Sequence, residues 1–293
     1  MATAGQWLEG ARPRTLPMSI APVIIGSAAA YELGSFRPLL AVLAALVAIL
    51  FQVGVNYAND YSDGVRGTDD VRVGPLRLTG SGLATPQAVK AAAFGSFGLA
   101  MVAGLALIIL SQTWPLLLVG VGCVIAAWGY TGGNNPYGYR GLGEVYVFLF
   151  FGIVATMGTT YTQALQVSWP SFIGAVGTGL IATALLMANN VRDIPTDREV
   201  GKMTLAVRMG DEAARISYVM MLAVALLLPL ILVYEFPWIL LVLLLVPACL
   251  TPCWLMLKGK KRESLIPVLK QTGLINLGFA VAFGLGLVLS TIM

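Results

Sequence analysis

Two clusters of Asn and Asp carry most of the polar chemistry of this chain. The first runs Asn56-Tyr57-Ala58-Asn59-Asp60-Tyr61-Ser62-Asp63 and continues through Arg66 to Asp69 and Asp70. The second is Asn189-Asn190-Val191-Arg192-Asp193-Ile194-Pro195-Thr196-Asp197-Arg198. Asp60, Asp63, Asp69, Asp70, Asp193, Asp197 and Glu199 make up half of the 14 carboxylates in a sequence that is 58% apolar and 11% charged. Carboxylates beside apolar segments are costly to keep, which points to function. If helices continue through the clusters, Asn56, Asp60 and Asp63 fall at i, i+4, i+7, and Asn189, Asp193 and Asp197 at i, i+4, i+8. Each set then lines one helix face. Such oxygen donors suit a hard cation, and Mg²⁺ is expected, since it takes one or two carboxylates together with phosphate oxygens and water. Arg66, Arg72, Arg77, Arg140, Arg192, Arg198, Lys202 and Arg208 surround the clusters and would neutralise phosphate oxygens, Arg doing so bidentately.

The elements that must position these residues are membrane helices. A mean hydropathy of +0.83 over 293 residues, in continuous Leu/Ala/Val/Gly-rich runs, predicts an all-α polytopic bundle and argues against a transmembrane barrel. Nine spans are expected, near 17–34, 38–60, 86–110, 114–131, 144–164, 171–192, 212–234, 237–257 and 266–291, forming one integral-membrane domain over 1–293. With nine spans, one face takes 17 of the 18 Lys and Arg and 12 of the 14 acids, leaving Arg37, Glu32 and Glu235 opposite. The basic excess places that face, and the N-terminus, in the cytoplasm and the C-terminus outside. The presence of both signs there marks it as the working face. Each cluster precedes a long loop on that face, a weak two-fold repeat of the kind that brings related halves to one site. The first sixteen residues carry no signal-peptide pattern.

A metal–phosphate site at a membrane surface beside an apolar bundle implies a lipid diphosphate, its tail among the helices and its head group on the metal. The metal would stabilise the departing diphosphate. Zero His argues against zinc and against Ser–His hydrolysis. It is compatible with ionisation of an allylic diphosphate. Cys123, Cys249 and Cys253 all lie in apolar stretches and read as packing residues. No nucleic-acid partner is expected; membrane lipids are.

The motifs resemble the UbiA-type intramembrane prenyltransferases. Asn59-Asp60-x-x-Asp63 and Asp193-x-x-x-Asp197 match that superfamily's two metal motifs in type, order and separation. The resemblance is closest to its menaquinone branch. It is carried by 12–17 (Arg-Pro-Arg-Thr-Leu-Pro), 64–69 (Gly-Val-Arg-Gly-Thr-Asp), 74–83, Tyr130-Thr-Gly-Gly133, 136–144 (ending in Gly-Leu-Gly-Glu144) and the 189–197 cluster. The superfamily often has a third Asp where this chain has Gly67, and Asp69 is read as its substitute. The resemblance implies a helical bundle around a central cavity with a polar cap on the cytoplasmic side. It implies metal ligands Asn56, Asn59, Asp60, Asp63, Asp69, Asn189, Asp193 and Asp197, with Asp60, Asp63, Asp193 and Asp197 catalytic. Arg66, Arg77, Arg140, Arg192, Arg198 and Lys202 would bind diphosphate. Tyr57, Tyr130 and Tyr139 would face the acceptor or stabilise the allylic cation, although packing is the competing role for each. The implied reaction is Mg²⁺-dependent prenylation of 1,4-dihydroxy-2-naphthoate by a polyprenyl diphosphate, with carboxylate loss, in a bacterial inner membrane.

Other readings compete. Within the superfamily the acceptor could instead be 4-hydroxybenzoate. A CDP-alcohol phosphotransferase shares Asp60-x-x-Asp63-Gly64 but not what should follow it. A transporter would place its acids near the midplane rather than at helix ends.

Overall fold

The computed structural model describes residues 2–67, 76–259 and 262–293. Asp69, Asp70 and Arg72 therefore lie outside the described residues. The helices are α1 (Ala4–Gly10), α2 (Leu16–Glu32), α3 (Pro38–Val65), α4 (Pro86–Ser111), α5 (Leu116–Gly129), α6 (Gly143–Ala164), α7 (Trp169–Glu199), α8 (Leu205–Met209), α9 (Asp211–Leu232), α10 (Pro237–Leu257) and α11 (Ile266–Ile292). Among the described residues seven, namely α3, α4, α6, α7, α9, α10 and α11, are long and apolar enough to cross a membrane. The other two expected spans are occupied by α2, of 17 residues, and α5, of 14 residues. At about 1.5 Å per residue α5 is roughly 21 Å long, short of the ~30 Å hydrocarbon layer. The protein is a multi-pass membrane protein.

Local chemistry sets the helix ends. Pro38, Pro86 and Pro170 sit in first turns, where a missing N–H costs nothing. The Thr85 and Ser168 hydroxyls accept the Ala88 and Ser171 amides as N-caps, at 3.4 and 3.3 Å. Both cluster-bearing helices run on through their motifs, α3 to Val65 and α7 to Glu199. At 28 residues, α3 is about 42 Å long, so its last turns carry the first cluster beyond the hydrocarbon layer.

Helix α7 is the centre of the bundle. Of its most apolar stretch 72% is buried, against 22–44% for the other long helices. Small residues allow the close approach this needs. A Cβ on Gly152 of α6 would stand 2.7 Å from Gly179 Cα, and one on Gly177 would stand 2.4 Å from the Phe279 ring of α11. Thr178 donates to Asn276 Oδ1 at 2.9 Å, joining α7 to α11 inside the apolar core. Gly152 lies in a π-helical stretch, Phe148–Val154, that widens α6 where Phe150, Phe151 and Val154 face a central cavity.

Candidate active site

The cavity holds about 400 Å³. Along α3 its wall runs from Ala44 to Asp63, roughly 28 Å at the rise of a helix. Most of that length is apolar, lined by residues such as Val47, Phe51, Leu105, Ile108 and Phe151. The charged groups of the lining, Arg12, Asp63, Arg77 and Lys202, gather at one end with Asn59 and Asn189.

Three interlocked loops close that end. The Asp60 carboxylate is 1% exposed and accepts the Leu78 amide at 2.7 Å and the Thr79 amide at 2.8 Å. It thereby fixes the start of the 76–85 segment and with it Arg77. Arg66 donates to the Thr131 and Gly133 carbonyls of the loop after α5. The Met203 amide donates to the Tyr139 carbonyl at 3.0 Å, tying the loop after α7 to the same place. Irregular backbone of this kind is stable near a membrane where it is buried in protein or lines a cavity.

Tyr139 links the two motifs. Its hydroxyl donates to Asp63 Oδ1 at 2.8 Å, and Arg66 and Lys202 each place a cation 5.1 Å from its ring centre. Lys202 in turn lies 3.5 Å from Asp197 Oδ1, and Arg77 lies 3.5 Å from Asp63 Oδ2. Asp63 and Asp197 are buried. Thr131 donates to Asn59 Oδ1 at 2.8 Å. Arg192 holds Asp193 with Nε and Nη2, both at 2.7 Å, and also donates to Asn189 Oδ1 at 2.8 Å.

Several expected residues stand apart from the cavity or are already engaged. Asn56 spends its amide on Ala11 O and Thr15 Oγ1, at 2.9 and 3.0 Å, holding the N-terminal segment against α3. Tyr57 donates to Trp7 O at 2.8 Å and packs edge-on against Trp7, away from the cavity. Arg140 and Arg198 are exposed and outside the lining. Tyr130, by contrast, begins an aromatic wall: Tyr130–Tyr137, Tyr137–Tyr146 and Tyr146–Phe150 have ring centres 5.5, 3.9 and 6.0 Å apart. Burial and, less, Tyr146 push the Tyr137 phenol well above its ordinary range, so it stays a donor, to Ala126 O at 2.8 Å.

The donors at the polar end are hard oxygens, which fits Mg²⁺. Among the described residues no three His, Cys, Asp or Glu stand close enough together to hold a metal alone.

Asp60 gives a direct prediction. Asp60→Ala leaves the buried Leu78 amide without an acceptor, at about 1–3 kcal/mol, and the part-buried Thr79 amide as well, at less. Limited proteolysis within 76–85 is expected to accelerate; unchanged protection would show that Asp60 does not hold the segment.

A helical bundle enclosing a membrane-length apolar cavity, with carboxylates, amides and cations at one end, is the architecture of an intramembrane prenyltransferase. The chain belongs to the UbiA prenyltransferase family, whose model matches residues 19–277. It is 51% identical over 282 residues, 96% of each chain, to the 1,4-dihydroxy-2-naphthoate octaprenyltransferase of Mycobacterium tuberculosis. To the Escherichia coli protein of the same description it is 45% identical over 215 residues, covering 71% of this chain and 70% of that one. In fold it resembles a UbiA homolog from Archaeoglobus fulgidus solved with GPP and Mg²⁺, with a TM-score of 0.68, 15% identity, and coverage of 97% of this chain and 99% of that one.

Proposed function

We propose that this protein transfers a polyprenyl group from an allylic polyprenyl diphosphate to 1,4-dihydroxy-2-naphthoate, with loss of the carboxylate as CO₂, giving demethylmenaquinol. The observation that carries the reading is one cavity with an apolar length for the prenyl chain and Asn59, Asp63, Arg77, Asn189 and Lys202 at its polar end. The acceptor is supported by the activity of the curated relatives at 51% and 45% identity.

Asn59 and Asp63 on α3 and Asn189 on α7, which line the polar end of the cavity, would hold Mg²⁺ together with phosphate oxygens; Asp193 and Asp197, engaged here by Arg192 and Lys202, would join them once those cations turn to the substrate. The bound cation supplies positive charge to the departing diphosphate. Arg77 and Lys202, now 3.5 Å from Asp63 and Asp197, turn to phosphate oxygens. Arg66, Asp60 and Asn56 act from behind by holding the loops and the N-terminal segment in place. The apolar wall excludes water from the reacting carbon, and the aromatic wall from Tyr130 to Phe150 offers π-faces to positive charge. The charge distribution favours a cytoplasmic polar end in a bacterial inner membrane.

Turnover of the purified protein with Mg²⁺, a polyprenyl diphosphate and either 1,4-dihydroxy-2-naphthoate or 4-hydroxybenzoate tests this, with products identified by mass spectrometry. A prenylated naphthoquinol lacking the carboxylate is expected. Prenylation of 4-hydroxybenzoate alone would overturn the acceptor assignment, and prenylation of neither would overturn the reaction.

A further inference from the structure

One buried carboxylate has no part in the site described so far. Glu144 is the second residue of α6 and is 3% exposed. Its Oε1 accepts Asn190 Nδ2 at 2.8 Å, and its Oε2 has no hydrogen-bond partner among the described residues. A buried carboxylate whose one side-chain partner is a neutral amide is a poor structural device, because its desolvation is offset only in part. An apolar residue would pack there at lower cost, so function is the better explanation.

The surroundings say what kind. Asn190 lines the cavity, directly after Asn189. The carboxylate only accepts, so it turns the Asn190 amide with Nδ2 toward itself and leaves Oδ1 as the acceptor available to a cavity ligand. Tyr130, also in the lining, lays its ring and hydroxyl against Gly143: a Cβ there would meet Tyr130 Cε2 at 3.1 Å and Oη at 3.5 Å. Gly143, Glu144, Tyr130 and Asn190 thus form one corner, beside the Tyr137–Tyr146–Phe150 aromatic faces. An amide oxygen backed by a carboxylate repels a diphosphate and welcomes a hydroxyl. The aromatic faces suit a flat ring.

We propose that this corner seats the hydroxyl-bearing ring of the aromatic acceptor, with Asn190 Oδ1 and the Tyr130 hydroxyl touching it and Glu144 as the positioning residue that orients Asn190. The proposal rests on the prenyl-transfer reading and names the acceptor subsite within it. Glu144 acts through Asn190, so its loss should affect the acceptor and spare the diphosphate.

The test is equilibrium binding to the full-length protein in detergent, measured for wild type, Glu144→Gln and Glu144→Asp. The probes are 1,4-dihydroxy-2-naphthoate alone and, separately, farnesyl diphosphate with Mg²⁺. For Glu144→Gln, naphthoate affinity is expected to fall about tenfold or more while farnesyl diphosphate affinity stays within about twofold. Glu144→Asp, which keeps the charge but shortens the reach, is expected to bind naphthoate between the two, and it carries the test if the Gln variant does not fold. Unchanged naphthoate affinity, or an equal loss for both probes, would overturn the assignment of the corner. Wild type that binds farnesyl diphosphate but not naphthoate would overturn the acceptor reading and the corner with it. Wild type that binds neither would overturn the parent reading.

Discussion

Asp63→Asn is expected to lower turnover by at least about 10²–10³-fold, the scale of losing one preorganised electrostatic contact to a transition state. Asp63 is 3% exposed, faces the polar end of the cavity, and takes the Tyr139 hydroxyl on one oxygen with Arg77 3.5 Å from the other. Asn is nearly the same shape and can still accept from Tyr139, so the fold and the loops should survive. What disappears is the negative charge that holds a cation and balances Arg77. Turnover as a function of Mg²⁺ at saturating substrates reads this directly: the variant should need more Mg²⁺ and still fall short at saturation. Retained turnover with an unchanged Mg²⁺ requirement would remove Asp63 from the site.

The second large effect concerns the prenyl chain. Ala48 lines the cavity on α3, fifteen residues before Asp63, which puts it roughly 22 Å from the reacting end. Ala48→Phe fills that section without touching the polar groups. Cavity walls at interior packing density have little room to yield. Turnover with long polyprenyl diphosphates is expected to drop by about 10²-fold, whereas geranyl diphosphate, whose tail ends short of Ala48, should react nearly as in wild type. A uniform loss across chain lengths would mean that the long chain does not run along α3.

The membrane bundle and the two clusters were legible in the sequence because both signals are local. Apolar runs give spans, and Asn/Asp at helical spacing gives a polar face. The short helix α5 covers 116–129 of the expected 114–131, because the backbone leaves the helix after Gly129 to form the loop bearing Thr131 and Gly133. What spacing cannot show is the division of labour inside a motif. Asp60 and Asp63 are three apart on α3, yet one meets the backbone of 78–79 and the other meets Tyr139 and Arg77. That difference is made by loops from elsewhere in the chain. In the sequence Tyr57 and Tyr130 are equivalent aromatic candidates, but of the two Tyr130 reaches the cavity, because the N-terminal helix α1 covers Tyr57. Glu144 was visible only as the end of a Gly-Leu-Gly-Glu run. Its partner Asn190 is 46 residues away and no local pattern connects them.

The most direct measurement is CO₂ release from carboxyl-labelled 1,4-dihydroxy-2-naphthoate by the purified protein, counted against prenylated product. Release equal to product, requiring both Mg²⁺ and a polyprenyl diphosphate and lost in Asp63→Asn, is the expected result. Release without the prenyl diphosphate, or prenylated product that keeps the label, would contradict decarboxylating prenyl transfer at this site.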